Sequence, residues 1–195
     1  MKPYSPSPNM LPDRQCLLCP SILSRLLNSY QTRSQNLVFV CIGTDRIIGD
    51  SLGPIVGSML HNYIESPSSA APFSPKKTPD FYIYGTLQDT VHALNLAEIT
   101  EKIQKKHAND TIIAIDASLG SKKDIGSVFV RTGTLFPGSG VCKTLPPLGD
   151  ITITGITGEQ TRHPYLTLQT VRLSAVTRMA EHICSCILSV CQYSL

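Results

Sequence analysis

The chain has 195 residues, enough for one domain with a sizeable core, since domains of about 100 to 200 residues are common. Its 17 Lys and Arg residues and 14 Asp and Glu residues give a net charge of +3 that is spread along the sequence. This dispersed charge argues against a nucleic-acid partner. Because no apolar stretch reaches the roughly 18 residues that span a bilayer, we also expect no membrane partner and a cytoplasmic location.

The first 20 residues are rich in Pro, Ser and polar residues, which predicts a disordered N-terminal tail. This tail contains Cys16 and Cys19 in a CxxC arrangement, but no second pair of cysteines stands at zinc-site spacing, which argues against a metal or redox role. The seven cysteines are irregularly spaced and fit free thiols in a reducing compartment. Residues 21–195 are predicted to form a single domain that opens with a helix over residues 21–33.

Two apolar runs predict parallel strands that are buried on both faces, and an aspartate follows each run. Residues 37–42 lead through the loop GTDRIIGD to Asp50, and residues 111–115 lead directly to Asp116. In a doubly wound sheet of order 2-1-3 these two strands are neighbours, and ligands bind in the crevice above their carboxyl ends. We therefore expect both carboxylates to converge in one cleft.

The remaining pattern alternates strands with helices, which is typical of the α/β class. It predicts a three-layer α/β/α domain around a mainly parallel, twisted sheet. Residues 66–80 are rich in Pro, Ser and Ala and are predicted to be an exposed loop. Helices are further predicted at residues 52–64, 91–107 and 166–190, and strands at residues 81–85, 127–133 and 150–157.

Two carboxylates in one dry cleft cannot both ionise easily, so one is pushed toward its protonated form. Asp116 ends a buried strand and is predicted to have the raised pKa, whereas Asp50 is predicted to stay ionised at the start of the next helix. Such a pair can act as general acid and general base. Each residue also has an ordinary structural explanation, a helix cap for Asp50 and an Asx turn for Asp116.

Three charged residues near the predicted strand ends are candidates to support the cleft. Asp45 and Arg46 share the loop of Asp50, where pairing with each other is the simpler explanation. Asp89 follows the strand at residues 81–85 and is expected to cap the next helix, although it could also line the edge of the cleft.

A long loop after the strand at residues 127–133 supplies two further candidates, Ser139 and Lys143. A loop of that length inside a compact domain is typical of a functional segment. Lys143 could place positive charge above the carboxylates. A nucleophilic role for Ser139 or Cys142 has little support, because no base is placed near them in a legible way.

The two carboxylates could instead hold a metal ion, but zinc and nickel sites normally include a nitrogen or sulfur ligand. His92 and His163 are the candidate ligands, and neither follows a strand directly. We therefore predict no metal and no cofactor.

Five segments together resemble the YyaC family of sporulation proteins, relatives of the spore germination protease. By this resemblance Asp50 and Asp116 take the two catalytic positions of an atypical aspartic endopeptidase that acts on small acid-soluble spore proteins. The resemblance implies a peptide or protein substrate and a location in the forespore or mother cell, and it leaves a homo-oligomer open. The segments are GTDRIIGDSLGP from Gly43, YGTLQDTVHALNL from Tyr84, AIDASLG from Ala114, PGSGVCKTLPP from Pro137 and GDITITGI from Gly149.

The hydrogenase maturation proteases of the wider superfamily resemble this chain in fold and hold nickel through two acidic residues and a histidine in a later loop. The corresponding loop here, residues 135–150, contains no histidine. This favours the metal-free aspartate pair. Two alternatives stay open: a noncatalytic sporulation protein that keeps the cleft for binding, and a metal-dependent peptidase of the maturation type.

Overall fold

The computed structural model describes residues 16–30, 36–65, 81–135 and 147–193. The predicted loop at residues 66–80 lies outside these ranges, as do the first 15 residues, Ser139 and Lys143. The elements in chain order are β1 (Cys16–Leu17), α1 (Pro20–Tyr30), β2 (Leu37–Cys41), α2 (Leu52–Glu65), β3 (Phe81–Tyr84), α3 (Leu96–Lys106), β4 (Thr111–Gly120), β5 (Val128–Thr132), β6 (Ile151–Glu159), α4 (Pro164–Thr170) and α5 (Leu173–Tyr193).

Six strands form one sheet in the order β1-β5-β6-β4-β2-β3. Strands β3, β2, β4 and β6 run parallel to one another, whereas β5 is antiparallel to both β6 and β1. Strands β2 and β4 pair side by side, from Leu37 opposite Thr111 to Cys41 opposite Ile115. The predicted neighbours and the mainly parallel α/β sheet are therefore confirmed.

Helices cover both faces of the sheet, which gives three layers. Helices α1, α2 and α5 pack on one face, against side chains such as Phe39 and Ile115. Helix α3 packs on the other face, against Val40 and Ala114. Successive side chains of a strand point to opposite faces, and helices cover both faces of β2. The run LVFVC is therefore buried along its whole length.

Strand β4 extends beyond the run that predicted it, so Asp116 lies inside the strand and not in a turn after it. The extension has a partner, because β6 continues beside β4 from Thr154, opposite Asp116, to Glu159, opposite Gly120. The prediction stopped early because the residues that follow Asp116, ASLG, have the small and polar composition of a turn.

The two helices predicted after residue 90 differ from the structure in their bounds. Helix α3 begins at Leu96, because Val91 instead forms a parallel bridge with Ile42 at the end of β2. The single helix predicted over residues 166–190 is two helices, since Val171 is extended after α4. As a result, residues 91–95, before α3, and helix α4, before α5, lie at the carboxyl edge of the sheet.

The end of the predicted disordered tail is ordered. Cys16 and Leu17 pair with Val130 and Phe129 of β5, and Leu18 is buried in the core. The expectation of disorder is therefore wrong for this part of the tail, because a single buried leucine and an available sheet edge give it a place to pack.

A buried polar network joins α3, β3 and the start of β4. His107 is 3% exposed, with its Nδ1 2.8 Å from Asp110 Oδ2 and its Nε2 3.0 Å from the Tyr84 hydroxyl. The other carboxylate oxygen of Asp110 accepts a hydrogen bond from Asn36 Nδ2 at 3.0 Å. Both ring nitrogens and both carboxylate oxygens have partners, as is usual for buried polar groups.

Two glycines allow the loop between β2 and α2 to fold tightly. Gly43 has a φ of 143°, and a side-chain carbon at that position would collide with the backbone oxygen of Asp50. A side-chain carbon at Gly53, in the first turn of α2, would collide with the backbone of Ile42. The close approach of these backbones holds Asp50 beside the end of β2.

We expect Gly53→Ala to lower the free energy of unfolding by more than about 1 kcal/mol, because the added methyl group has no room beside Ile42. This outcome opposes the usual effect, since replacing a helical glycine by alanine ordinarily stabilises by about 0.5–1 kcal/mol. Urea denaturation measures the change, with Asn62→Ala on the exposed face of α2 as the matched control. A Gly53→Ala variant as stable as the wild type would contradict this packing.

Candidate active site

A cleft opens at the carboxyl edge of the sheet because β2 ends before its neighbour β4 does. The backbone N–H of Ile42 donates to Ile115 at 2.7 Å, and the chain then turns away at Gly43. Asp116, the next residue of β4, therefore has no β2 neighbour on that side. The resulting cleft has a volume of about 1250 Å³ and is lined by both Asp50 and Asp116.

Asp50 is the last residue of a 3-10 turn, Ile48–Asp50, that precedes α2. Its carboxylate accepts a hydrogen bond from the backbone N–H of Thr44 at 3.1 Å, so it closes its own loop. The predicted helix cap is wrong, because Ser51 separates Asp50 from α2 and the carboxylate is bonded inside the loop.

Asp116 enters the cleft from the centre of the sheet. Its neighbours along β4, Ile115 and Ala117, pack on the face that carries α1, α2 and α5. By strand alternation Asp116 points to the opposite face, on the side of α3. Its side chain is densely surrounded by protein, yet it keeps some exposure toward the cleft.

The two carboxyl groups are coupled electrostatically. Burial raises the pKa of Asp116 to about 8, with a further contribution from the charge of Asp50, and the Ala117 N–H opposes the shift. Burial also raises the pKa of Asp50 to about 6, against the hydrogen bond from Thr44. The predicted order of the two pKa values is found, but Asp50 does not keep an ordinary value, since it gains no helix start and loses water.

These values leave one proton on the pair near neutral pH. Asp50 is then mainly ionised and Asp116 mainly protonated, which supplies a base and an acid in the same cleft. Because the two groups interact, both titration steps belong to the pair.

Of the charged residues predicted to support the cleft, two reach it and one does not. Asp45 and Arg46 line the cleft and are exposed, and within the described residues they form no ion pair with each other. Asp89 is exposed in a turn with Thr86 and does not belong to the cleft lining. It also does not cap α3, which begins only at Leu96.

Sequence reasoning missed three lining residues on the antiparallel side of the sheet: Phe129, Arg131 and Thr154. Thr154 is the β6 partner of Asp116, and Phe129 of β5 lies opposite Thr154. The guanidinium of Arg131 donates to the backbone oxygens of Thr132 and Thr134 at 3.3 and 2.8 Å, which fixes a positive charge in the cleft. Phe129 and Arg131 are two positions apart in the predicted strand VFVRT, and this spacing would have placed both side chains on one face of the sheet.

Among the described residues, no three His, Cys, Asp or Glu side chains are grouped so as to hold a metal ion. Of the two candidate histidines, His92 lines the cleft, and its Nδ1 accepts a hydrogen bond from the backbone N–H of Leu94 at 3.2 Å. His163 is exposed before α4 and outside the lining. Two carboxylates by themselves lack the nitrogen or sulfur donors that zinc and nickel prefer.

The fold resembles that of one solved hydrogenase maturation protease. The crystal structure of the [NiFe] hydrogenase maturation protease HycI from Thermococcus kodakarensis KOD1 matches 86% of this chain and 99% of that chain, with a TM-score of 0.52 and 16% sequence identity. At that level of identity the match establishes a shared fold.

The chain belongs to the family described as Protein of unknown function (DUF1256), whose model matches residues 15–186. It is 43% identical over 145 residues to the uncharacterized protein YyaC of Bacillus subtilis (strain 168). That match covers 74% of this chain and 64% of the relative, so the chain spans less than two thirds of the relative's length. The resemblance to the YyaC family is confirmed. Among the described helices, none has the length and apolar character to cross a membrane.

We expect the contribution of Asp116 to the free energy of unfolding to decrease as the pH rises from about 4 to about 8. In this window the folded protein keeps a proton on Asp116, whose pKa is about 8, while the unfolded chain, with an ordinary carboxyl pKa near 3.9, has lost it. The free energy of unfolding must therefore decrease with pH. Asp116→Asn removes the titrating group and should flatten this slope.

Urea denaturation at several pH values between about 5 and about 8 tests this linkage. Glu101→Gln is the matched control, because Glu101 is exposed on α3 and pairs with Lys105 in the next turn. Parallel pH profiles for the wild type and Asp116→Asn would show that Asp116 has an ordinary pKa.

Proposed function

We propose that this chain is an aspartic-type endopeptidase that hydrolyses peptide bonds in spore proteins, with Asp50 and Asp116 as its catalytic pair. The observation that carries the proposal is one cleft with two coupled carboxyl groups whose pKa values, about 6 and about 8, lie on either side of neutral pH. The fold shared with a hydrogenase maturation protease supports a peptidase. The sporulation role rests on the resemblance of the sequence motifs.

The chemistry follows from the protonation of the pair. Ionised Asp50 takes a proton from a water molecule, which attacks the carbonyl carbon of the scissile peptide bond, while protonated Asp116 gives its proton to the carbonyl oxygen. Asp50 now carries a proton and passes it to the leaving amide nitrogen as the carbon–nitrogen bond breaks. Asp116 regains a proton from the tetrahedral hydroxyl when the carbonyl reforms, which restores the starting state.

Asp116 is suited to this part because its side chain keeps some exposure toward the cleft. Among the described residues, the adjacent Ala117 N–H is the donor that stabilises its charged form. The carboxylate of Asp110, by contrast, uses both oxygens within the protein, on His107 and Asn36.

The margins of the cleft have a character that suits a polypeptide. Exposed apolar side chains stand at its margins, with Leu94 81% and Tyr165 59% exposed. Such side chains can contact apolar residues of a substrate on either side of the carboxyl pair.

We expect Asp50→Asn and Asp116→Asn each to reduce cleavage of small acid-soluble spore proteins by at least about 100-fold, since acid–base groups typically contribute 10²–10⁴. The amide is isosteric with the carboxyl group but cannot exchange the proton. Mass spectrometry of the fragments measures cleavage, and Glu101→Gln, which removes an exposed carboxylate on α3, should cut like the wild type.

Two other results would identify the rival functions. Wild-type cleavage that disappears with a chelator and returns with nickel or zinc would establish a metal-dependent peptidase. Binding of spore proteins without any cut product, unchanged by Asp116→Asn, would establish a noncatalytic binding protein.

The rate of cleavage should have a bell-shaped pH dependence with its limbs near pH 6 and pH 8. Below the lower limb Asp50 is protonated and cannot act as base, and above the upper limb Asp116 has lost the proton that it must donate. Initial rates measured over a series of pH values, at saturating and at limiting substrate concentration, locate the two limbs. A rate that keeps rising above about pH 8 would rule out Asp116 as the acid.

A further inference from the structure

Strand β4 has an unpaired backbone edge inside the cleft. Strand β2 accompanies β4 as far as Ile115, whose backbone oxygen accepts the N–H of Ile42, and β2 then gives way to the loop at Gly43. Residues 116–120 of β4 continue beside β6. Among the described residues no strand pairs with them on the other side, and all five are partly exposed and line the cleft.

The backbone groups of Ala117 and Leu119 face this open edge. Along a strand, the N–H and C=O groups of successive residues point alternately to the two neighbouring strands. The oxygen of Ile115 bonds on the β2 side, whereas the oxygen of Gly120 bonds to Gln160, at the end of β6. Ala117 and Leu119 lie two and four residues after Ile115, so they point to the side that β2 has left.

These groups are available for a further hydrogen bond. Outside the pairing of β4 with β6, no described residue donates to the Ala117 oxygen or accepts from the Leu119 N–H. The Leu119 oxygen accepts the Ser118 hydroxyl at 3.3 Å and keeps a second lone pair. Two acceptors and one donor therefore stand along the edge, with the spacing at which an extended backbone pairs.

The space beside this edge is the path that β2 would follow if it continued. On the side of β2 away from β4, Val91 bridges Ile42, and its oxygen accepts the N–H of Gly43. The next residues, 92–94, line the cleft, as do Ile42 and Gly43. The edge of β4 and residues 92–94 thus stand on either side of a gap whose lower part is filled by one strand.

We propose that the substrate binds as an added strand along residues 117–119 of β4, in the gap that continues β2. This inference rests on the proposed peptidase and names the form in which its substrate is held. An extended segment accepts the Leu119 N–H and donates two of its own N–H groups to the Ala117 and Leu119 oxygens. The substrate class is therefore an unfolded protein segment, because the N–H groups of a helix or a paired strand are already in use.

The position of the edge explains why its occupant is the substrate. Asp116 directly precedes Ala117, so a strand bonded to Ala117 passes beside the carboxyl group that we assign as the acid. Neighbouring strands lie about 4.8 Å apart, which brings the peptide groups of an added strand close to this side chain. Recognition through the backbone also fits any sequence that can be extended, so the exposed side chains at the margins of the cleft are left to select among sequences.

Amide hydrogen exchange, read by NMR for single residues, tests this binding mode in the full-length Asp50→Asn chain. This variant should hold a small acid-soluble spore protein without cutting it. The Leu119 N–H should exchange rapidly in the free protein and at least about 10-fold more slowly in the complex, because a new hydrogen bond protects it. The Ser118 N–H faces β6 and is the internal control, protected to the same extent in both states.

Methylation of the substrate backbone tests the same contacts without any change in the protein. Overlapping synthetic peptides of the spore protein identify a segment that binds, and its backbone nitrogens are then methylated one at a time. Binding should weaken by at least about 5-fold at two positions that are two residues apart, because each loses a hydrogen bond. The nitrogen between them points away from β4 and is the matched control.

The results separate this binding mode from the proposed activity. Protection of the Leu119 N–H without cleavage by the wild type would support the binding mode and contradict the peptidase. Cleavage by the wild type with no change at Leu119 would overturn the binding mode and leave the peptidase standing. Three further results would also overturn the binding mode: a Leu119 N–H already protected in the free protein, protection that appears on raising the protein concentration alone, and equal losses at every methylated nitrogen.

Discussion

The shared proton of Asp50 and Asp116 is the interaction on which the account of this protein depends. Two carboxyl groups held near each other in a poorly hydrated cleft cannot both be charged at low cost, so one keeps a proton at a pH where carboxyl groups are ordinarily ionised. The cleft itself exists because β4 continues past the end of β2. Fold and electrostatics are therefore linked: the unequal strand lengths create both the space and the burial.

The tight loop after β2 holds the other half of the pair in place. Gly43 lies directly under the backbone of Asp50, and Gly49 lies so close to Leu168 of α4 that a side chain would not fit. Helix α4 thus presses on the 3-10 turn that ends at Asp50. These close contacts fix the position of Asp50 at the edge of the cleft.

Much of this arrangement could be predicted from the sequence, because its strongest signals are local. The apolar runs of β2 and β4 predicted buried parallel neighbours, and their positions brought Asp50 and Asp116 to one edge of the sheet. The continuation of β4 through Asp116 could not be predicted, since it is the neighbouring β6 that supplies its hydrogen bonds. The break between α4 and α5 at Val171 is marked by neither proline nor glycine.

The electrostatics of the cleft were harder to predict from the sequence, because they depend on contacts between elements that are distant along the chain. The pKa of Asp50 depends on water excluded by α4 and by the sheet, and these elements are distant in sequence. The position of the Arg131 guanidinium in the cleft depends on the antiparallel return of β5 beside β6.

The most direct test of the shared proton is an NMR titration of the aspartate side-chain carboxyl carbons in uniformly labelled protein, assigned with Asp50→Asn and Asp116→Asn. We expect two coupled steps, near pH 6 and near pH 8, and a lower pKa for Asp116 once the charge of Asp50 is removed. Ordinary, independent titration of both carboxyl groups near pH 4, the usual range for aspartate, would contradict it.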